Sequence, residues 1–350
     1  EKQYIWRSIS NLTTTFSKIC EEPKVETTRH REYIVTIWWN LAICPAIAYQ
    51  MISIKCLLST LQNLMISSTS SVTLRRSAIA ALGTLVTTTT TTTNSNNKNN
   101  KHDLPNDIDR DNESIWKSLI QLIKHEVDTD CRRRALRTIR CLVTAAVEEE
   151  YPSELLEILV EAAKTDSDED TRLQALEALR HFRTKTPQWT EAFVSIVVVT
   201  SRQSSMMEML SSRSHATACD ILKSKCDPVT LISCIERKGF LEALSVADVE
   251  VISEIISIIA NNGGKEKLLS HPALSLIAQV IVAGSNNNDD GSMIALQIIQ
   301  KLTQTTSENR SIMAKYDPLI NAIVNFCLLS TNGEEKEFAK SIILALVAEL

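Results

Sequence analysis

The feature that most constrains this chain is an apolar pattern that recurs about every 40 residues. Each copy places apolar or small residues at positions i, i+3, i+4 and i+7, which is the spacing of one face of an α-helix. The clearest copies are Ala78–Leu85 and Ala175–Phe182. The eight copies begin at residues 34, 78, 135, 175, 215, 252, 295 and 339. The pattern predicts helical units that bury their apolar faces by stacking on their neighbours.

Proline positions support the same repeat independently. Proline is excluded from helix interiors but is favoured in the first helical turn or in the connection before it. The eight prolines are residues 23, 45, 105, 152, 187, 228, 272 and 318. Pro23 precedes the first copy, and each interval between successive copies contains one proline. With only seven glycines and 5% aromatic residues, the composition also disfavours a large β-sandwich or barrel.

One interval between copies is longer than the others and contains a low-complexity segment. It spans 57 residues, whereas the other intervals span 37 to 44 residues. Removing the 17 residues Thr87–Asp103 restores an interval of 40. The tract is rich in threonine and asparagine, and it has too few apolar residues to order itself by burial. We therefore predict an N-terminal lead-in at 1–30, a repeat domain at 31–350 and a disordered insertion at about 87–111.

Segments on both sides of the insertion resemble the armadillo-repeat family. Arg75–Leu85 (RRSAIAALGTL) and Arg172–Leu179 (RLQALEAL) resemble the last helix of an armadillo repeat. Ser153–Lys164 resembles the second helix, and the acidic connection Asp166–Asp170 also fits the family pattern. The resemblance covers the chain from residue 34 onward, apart from the insertion. It implies an all-α fold, an armadillo-like or HEAT-like α-solenoid of about seven to eight stacked repeats in a superhelix.

The resemblance also implies where a partner binds. In armadillo proteins, the last helices of successive repeats line the groove that holds the partner. Here those helices carry many arginines, whose guanidinium groups can pair with carboxylates in a bidentate manner. The expected partner is a protein or peptide with an acidic segment. The predicted partner-binding residues are Arg76, Arg133, Arg137, Arg140, Arg180 and Arg183.

A structural role for some of these arginines is an open alternative. Asp128 and Asp130 shortly precede Arg132. Asp170 likewise precedes Arg172. This arrangement resembles the Asp–Arg ladders that bridge adjacent repeats in HEAT-like stacks. The alternative favours a structural role for Arg132 and Arg172. It leaves Arg133, Arg137 and Arg140 as the stronger binding candidates.

The sequence departs from the pattern of the peptide-binding members of the family. Those proteins place an asparagine beside the last apolar anchor of each third helix, where it clamps the peptide backbone. The equivalent positions here are Asn40, Thr84, Cys141, His181, Ile221, Ile258, Lys301 and Ala345. Because only the first is asparagine, a partner in the groove must be held in a different way.

Other functional classes find little support in the sequence. The formal net charge of −5 disfavours nucleic acid as a partner. The motifs of phosphate loops, zinc proteases and nucleophile elbows are absent, so no catalytic residue, cofactor or small-molecule substrate is predicted. His215 and Cys219 share one helix face, but no further ligand follows at zinc-binding spacing, so no metal site is predicted.

The chain is also expected to work away from membranes. Ile34–Ile54 approaches the roughly 20 apolar residues of a membrane span, but Pro45 splits it into two short pieces. We therefore expect buried helices at this position. The nine cysteines contain no Cys-x-x-Cys pair, which is typical of reduced thiols in a cytoplasmic or nuclear protein.

These observations predict a non-enzymatic scaffold that binds partner proteins along its solenoid surface. Two alternatives stay open. One is a nuclear-transport adaptor that binds cargo peptides, and the other is a regulatory subunit or domain of a larger enzyme.

Overall fold

The computed structural model divides the chain into two compact units, Glu1–Arg183 (unit 1) and Thr184–Leu350 (unit 2). The regular elements of the described residues are all helical, so the all-α prediction is confirmed. The described residues are 11, 14–16, 18, 28–96, 107–145, 151–152, 154–182, 186–205, 213–237, 239–245, 247–285 and 290–348.

The helices are numbered in chain order over these residues. Unit 1 contains α1 (Thr28–Ala42), α2 (Pro45–Ile52), α3 (Lys55–Ile66), α4 (Val72–Asn96), α5 (Asp107–His125), α6 (Thr129–Ala145), α7 (Leu155–Thr165) and α8 (Glu169–Arg180). Unit 2 contains α9 (Pro187–Ser205), α10 (Arg213–Lys225), α11 (Pro228–Cys234), α12 (Phe240–Leu244), α13 (Val249–Asn261), α14 (His271–Ser285), α15 (Asp290–Thr303), α16 (Ser307–Ala314), α17 (Asp317–Leu329) and α18 (Gly333–Val347).

The helices of each unit form two rows in which each helix packs on the next. In unit 1 the first row is α1, α4, α6 and α8, and the second row is α3, α5 and α7. In unit 2 the first row is α10, α13, α15 and α18, and the second row is α9, α12, α14 and α17. Every copy of the apolar pattern begins in a first-row helix, four copies in each unit. The predicted stack of helical repeats is therefore confirmed.

The apolar pattern forms the interface between neighbouring helices. Ala78, Ala81, Leu82 and Leu85 on α4 are fully buried, and the corresponding residues of α8 are buried as well. Full burial of one leucine side chain contributes about 1.5–3 kcal/mol, so each repeat is stabilised mainly by its contact with the next repeat. Ile37 departs from the pattern, because it is exposed on α1.

Prolines stand at the beginnings of helices, as the sequence predicts. Pro45, Pro187 and Pro228 are the first residues of α2, α9 and α11. Pro272 and Pro318 are the second residues of α14 and α17. These positions suit proline because the amide hydrogens of the first helical turn have no acceptor inside the helix.

The insertion is more helical than expected. The prediction of a disordered segment from residue 87 is corrected at its start, because α4 continues through the threonine tract to Asn96. It is also corrected at its end, because α5 begins at Asp107. The Thr87 hydroxyl donates a hydrogen bond to the Gly83 carbonyl at 2.7 Å, so threonine is accommodated within the helix. Residues 97–106 lie outside the described residues, as does most of the predicted lead-in.

The apolar stretch Ile34–Ile54 is divided between α1 and α2. Over the described parts of the chain, no individual helix is both long enough and apolar enough to cross a bilayer. Helices α16 and α17 reach the required length and composition only as a pair, across a bend of 82°.

Candidate partner-binding site

Arginines near the beginnings of first-row helices pair with carboxylates of the following repeat. Arg75 of α4 donates to both carboxylate oxygens of Glu126, at 2.9 and 3.1 Å. Arg132 of α6 makes the same fork with Asp166, at 2.8 and 3.0 Å. All four side chains are mostly buried, so these are charge-assisted hydrogen bonds largely shielded from water. We call these contacts the inner rungs.

Each inner arginine also binds the backbone in front of its own helix. Arg75 donates to the Ser70 carbonyl at 2.7 Å, and Arg132 donates to the Glu126 carbonyl at 2.9 Å. Arg172 of α8 makes the equivalent contact with the Asp166 carbonyl at 2.7 Å. The three arginines therefore hold equivalent positions in three repeats. The geometry supports the structural interpretation of Arg132 and Arg172.

The next arginine along each helix forms an outer rung. Arg76 donates to both oxygens of Asp128, at 3.0 and 2.6 Å. Arg133 lies 3.3 Å from Asp170 and 3.6 Å from Asp168. Both guanidinium groups, which the sequence assigned to partner binding, therefore have carboxylate partners within unit 1. Their role in binding a partner stays a prediction.

Two aspartates of the outer rungs also cap helices. Asp128 accepts a hydrogen bond from the Cys131 amide at 2.9 Å, and Asp168 accepts one from the Thr171 amide at 2.8 Å. The bond from Arg76 holds the pKa of Asp128 far below its usual range. The pKa of Asp168 is lowered chiefly by its bond from Thr171, with help from nearby arginines. In its ionised form, each carboxylate therefore both caps the start of a helix and contacts an arginine of the preceding repeat.

A groove crosses three successive first-row helices of unit 1, α1, α4 and α6. Its volume is about 370 Å³. Trp39 of α1 lines one side, and arginines of α6 line the other. Small residues of α4, including Ala80 and Gly83, lie between them. The lining residues are Trp39, Ile79, Ala80, Gly83, Thr84, Thr87, Thr88, Arg134, Arg137, Thr138, Arg140 and Cys141. We call this surface the α4 groove.

The structure places the six predicted arginines in different environments. Arg137 and Arg140 line the α4 groove, and among the described residues neither has a carboxylate within ion-pair distance. Arg180 on α8 lies 3.6 Å from Glu177 of the same helix. Arg183 lies outside the described residues. Of the five that the structure describes, two are therefore brought together in one groove.

Trp39 and Arg134 also line the groove, although neither was among the predicted binding residues. The Arg134 guanidinium lies 6.0 Å from the centre of the Trp39 ring, which is cation–π distance. Arg134 also donates to Asp130 at 3.0 Å, so its charge is partly compensated. The spacing of Arg134 and Arg137 is a signal in the sequence, because residues three apart share a helix face. The approach of Trp39 depends on how α1 and α6 stack, which the sequence pattern does not give.

Three of the eight positions equivalent to the family's peptide-clamping asparagines fall in or near this groove. Thr84 and Cys141 line it, and Asn40 is exposed beside Trp39. The Thr84 hydroxyl donates to the Ala80 carbonyl at 2.9 Å, so its hydrogen stays within the helix. The side chains of Thr84 and Cys141 lack the amide that clamps a peptide backbone. The arginines are therefore the groove's main hydrogen-bond donors.

His215 and Cys219 form a buried contact in unit 2. Cys219 Sγ lies 3.6 Å from His215 Nε2, and His215 Nδ1 lies 3.1 Å from the Thr200 hydroxyl. Burial lowers the pKa of His215 and raises the pKa of Cys219 to about 12, which favours the neutral forms. Within the described ranges, no group of three or more His, Cys, Asp or Glu side chains is placed to hold a metal ion.

No protein-family model and no curated protein matches the sequence. Solved structures of Kap121p are similar in fold. Kap121p alone gives a TM-score of 0.54 at 13% identity, and its complexes with Ste12p and Nup53p give 0.56 at 13% and 0.55 at 14%. Each match covers 96% of this chain but only 37% of Kap121p. Together with the stacked rows of helices, the likeness shows that this chain has an armadillo/HEAT-like α-solenoid fold.

Proposed function

We propose that this chain is a non-enzymatic scaffold that holds an acidic segment of a partner protein in the α4 groove. The observation that carries the proposal is the pair Arg137 and Arg140. These guanidinium groups line one wall of a groove, and no described carboxylate lies within ion-pair distance of them. The fold supports the proposal, because stacked repeats offer extended surfaces for partners.

The energetics require several contacts to act together. An exposed ion pair contributes only about 0–1 kcal/mol, so two arginines alone give weak binding. The Trp39 ring adds an apolar wall on the opposite side of the groove. Arg134 stacks near that ring and contributes further positive potential. We therefore expect a segment that combines acidic residues with an apolar side chain that packs against Trp39.

Charge reversal within the groove tests this proposal. The Arg137→Glu/Arg140→Glu variant replaces both attractive groups with repulsive ones, so partners captured from a lysate should be lost. Affinity purification followed by mass spectrometry, together with titration of each recovered partner, measures the effect. We expect at least a tenfold loss of affinity, which corresponds to about 1.4 kcal/mol.

A matched control distinguishes the loss of the groove arginines from the change in net charge. Arg237 and Lys340 are exposed cations of unit 2. The Arg237→Glu/Lys340→Glu variant changes the net charge by the same amount and should keep all partners. If the groove variant also retains its partners, while circular dichroism shows both variants folded, the groove assignment is wrong.

Transport of cargo peptides into the nucleus is a second candidate function. The solved structures of Kap121p bound to Ste12p and to Nup53p motivate it, because their fold resembles this chain across 96% of its length. Loss of nuclear accumulation of a labelled cargo on depletion of this protein would support it. Unchanged cargo distribution, with the protein itself confined to the cytoplasm, would argue against it.

The regulatory-subunit hypothesis makes a different prediction. It requires stable association with one enzyme and a change in that enzyme's rate when this chain is added. A cytoplasmic or nuclear location is compatible with each of these proposals, and fluorescence microscopy of the tagged protein tests it.

A further inference from the structure

We infer that the α4 groove selects a partner segment that carries a phosphorylated side chain. This inference rests on the proposed function and narrows the chemistry of the partner. The first observation is the charge of the groove. Three of its twelve lining residues are arginines and none is acidic. Within the described part of the chain, Arg134 alone of the three has a carboxylate partner, Asp130, at 3.0 Å.

The second observation is the spacing of Arg137 and Arg140, the two groove arginines that have no described carboxylate partner. Arg137 and Arg140 are three residues apart on α6, so their side chains leave the helix on the same face. Side chains at this spacing have Cβ atoms about 5–6 Å apart. Two flexible guanidinium groups at that separation can converge on one anion. They can also bind two separate carboxylates, so the charge of the anion decides between the alternatives.

A phosphate monoester fits two converging forks better than a carboxylate does. A carboxylate has two oxygens and one negative charge, and one guanidinium satisfies it in a bidentate pair. A phosphorylated serine or threonine carries about −1.5 to −2 charges at neutral pH and three acceptor oxygens. It can therefore accept from Arg137 and Arg140 together. A groove in which two guanidinium groups have no carboxylate partner among the described residues, and whose lining includes no acidic residue, is suited to such a dianion.

Between its two walls, the groove offers threonine hydroxyls that are already bonded, so the arginines are the groups that bind an anion. A Cβ atom added to Gly83 would lie 2.6 Å from the Thr138 hydroxyl oxygen, so α4 and α6 are closely packed here. The hydroxyls of Thr84 and Thr138 both donate to carbonyls of their own helices. The anion should therefore be held at the α6 wall, with its neighbouring residues free to contact Trp39.

A peptide is favoured over nucleic acid or a membrane surface. A nucleic-acid backbone presents many phosphodiesters of single charge, and its binding requires an extended basic surface. Beyond the groove, Arg76 and Arg133 are already paired with aspartates, so the positive surface is short. The net charge of −5 disfavours both extended polyanions and anionic membranes. A single dianion flanked by an apolar side chain matches the groove more closely.

The test uses three synthetic peptides that differ at one position. The first contains phosphoserine flanked by leucine and glutamates, the second has glutamate in place of phosphoserine, and the third has serine. Binding to the full chain is measured by fluorescence anisotropy. We expect the phosphoserine peptide to bind at least tenfold more tightly than the glutamate peptide, and the serine peptide to bind least tightly.

Conservative variants of the arginines distinguish the effect of bidentate hydrogen bonding from the effect of positive charge. The Arg137→Lys/Arg140→Lys variant keeps both charges but removes the bidentate forks, so the preference for phosphoserine over glutamate should fall below about threefold. Arg237→Lys is the matched control in unit 2 and should keep the full preference. Inorganic phosphate, single-stranded RNA and vesicles containing phosphatidylinositol phosphate serve as competitors.

The outcomes distinguish this inference from the proposed function. Equal affinity for the phosphoserine and glutamate peptides, with loss of both in the Arg137→Glu/Arg140→Glu variant, overturns the phosphate preference and leaves the acidic-segment proposal intact. Undiminished binding of all peptides to that charge-reversed variant overturns both. Tighter binding of RNA or of the vesicles than of the phosphoserine peptide overturns the choice of a peptide partner.

Discussion

The two units join their repeats with different polar contacts. In unit 1, Arg75 and Arg132 reach into the next repeat and make bidentate bonds with carboxylates that are mostly buried. In unit 2, Lys223 of α10 reaches Glu254 of α13 at 2.9 Å, and both side chains are more exposed. The apolar pattern is the same in both units. The difference shows that one backbone arrangement tolerates either mostly buried or more exposed ion pairs at its junctions.

Unit 2 buries small polar groups where unit 1 buries charges. The Ser253 hydroxyl donates to the Glu250 carbonyl at 2.8 Å, and the Ser292 hydroxyl donates to the Ile281 carbonyl at 3.2 Å. His215 pairs with the Thr200 hydroxyl. These groups are neutral, so their burial does not require a matching ion. Stability of unit 1 should therefore depend on intact ion pairs, and stability of unit 2 on keeping His215 neutral.

Removal of one inner carboxylate should give the largest effect. In the Asp166→Ala variant, Arg132 loses its fork and stays as a mostly buried charge. Breaking such a pair from one side costs about 3–5 kcal/mol. Urea unfolding followed by pulse-labelling hydrogen exchange, which reports the midpoint of each unit separately, should show unit 1 destabilised and unit 2 unchanged.

Asp170→Ala is the matched control four residues further along, in the first turn of α8. Asp170 is half exposed and lies on an outer rung with Arg133, so its loss should cost less than about 1 kcal/mol. Equal losses for the two variants would show that burial does not distinguish inner rungs from outer rungs.

A smaller effect is expected at the close contact of α4 and α6 in unit 1. In the Gly83→Ala variant, the new methyl group meets the Thr138 hydroxyl oxygen at 2.6 Å. Overpacking costs about 1–3 kcal/mol, and the better helix propensity of alanine offsets up to about 1 kcal/mol. We expect net destabilisation of unit 1 by about 1 kcal/mol in urea unfolding.

The control for this substitution is Gly333→Ala in unit 2. A Cβ atom at Gly333 meets nothing within 4 Å, so the variant should be neutral or slightly more stable. If Gly83→Ala is neutral as well, the helices are free to separate, and Gly83 does not set the depth of the α4 groove.

Mild acid should weaken unit 2 before it weakens unit 1. Burial lowers the pKa of His215 below 6.5, so the unfolded chain takes up the proton at a higher pH than the folded chain. The neutral core is therefore fully stable above that value, and stability is lost as the pH falls below it. The pKa values of Asp128 and Asp168 are lowered from 3.8, so unit 1 keeps their contribution until the pH falls below that value.

Urea midpoints of each unit at about pH 7.5 and about pH 5 measure this difference, with all labelling pulses given at one pH. We expect the midpoint of unit 2 to fall and that of unit 1 to hold. The His215→Gln variant should remove most of the dependence. A variant that keeps the full dependence would assign it to another group.

Most of the fold was predictable because one pattern sets it. The spacing of Ala175, Ala178 and Leu179 gives a helix with one apolar face. Because that face recurs in every repeat, the helices must stack to bury it, regardless of the residues in the turns. The insertion was predicted less well. Threonine hydroxyls can bond within a helix, as Thr87 does, so a polar tract does not by itself end α4.

The site was predictable only in part. The helix spacing of Arg137 and Arg140 on α6 is visible in the sequence. The ion-pair partners of the other predicted arginines are not. Arg76 pairs with Asp128, which is 52 residues away, and the contact exists only because α4 and α6 stack in one register. The same holds for Trp39, which reaches the groove from α1. Contacts between repeats follow from stacking geometry, which residue patterns within one helix do not record.

The smallest effect is expected for the charged junction of unit 2. In the Lys223→Ala variant, the contact with Glu254 at 2.9 Å is lost, but the Glu254 side chain is 40% exposed and regains water. An exposed pair of this kind contributes about 0–1 kcal/mol, and added salt weakens it further. The urea midpoint of unit 2 should therefore change little, and less in high salt than in low salt. A loss as large as that of Asp166→Ala would mean that both units depend on ion pairs at their junctions, and the contrast between them would then lie in His215 alone.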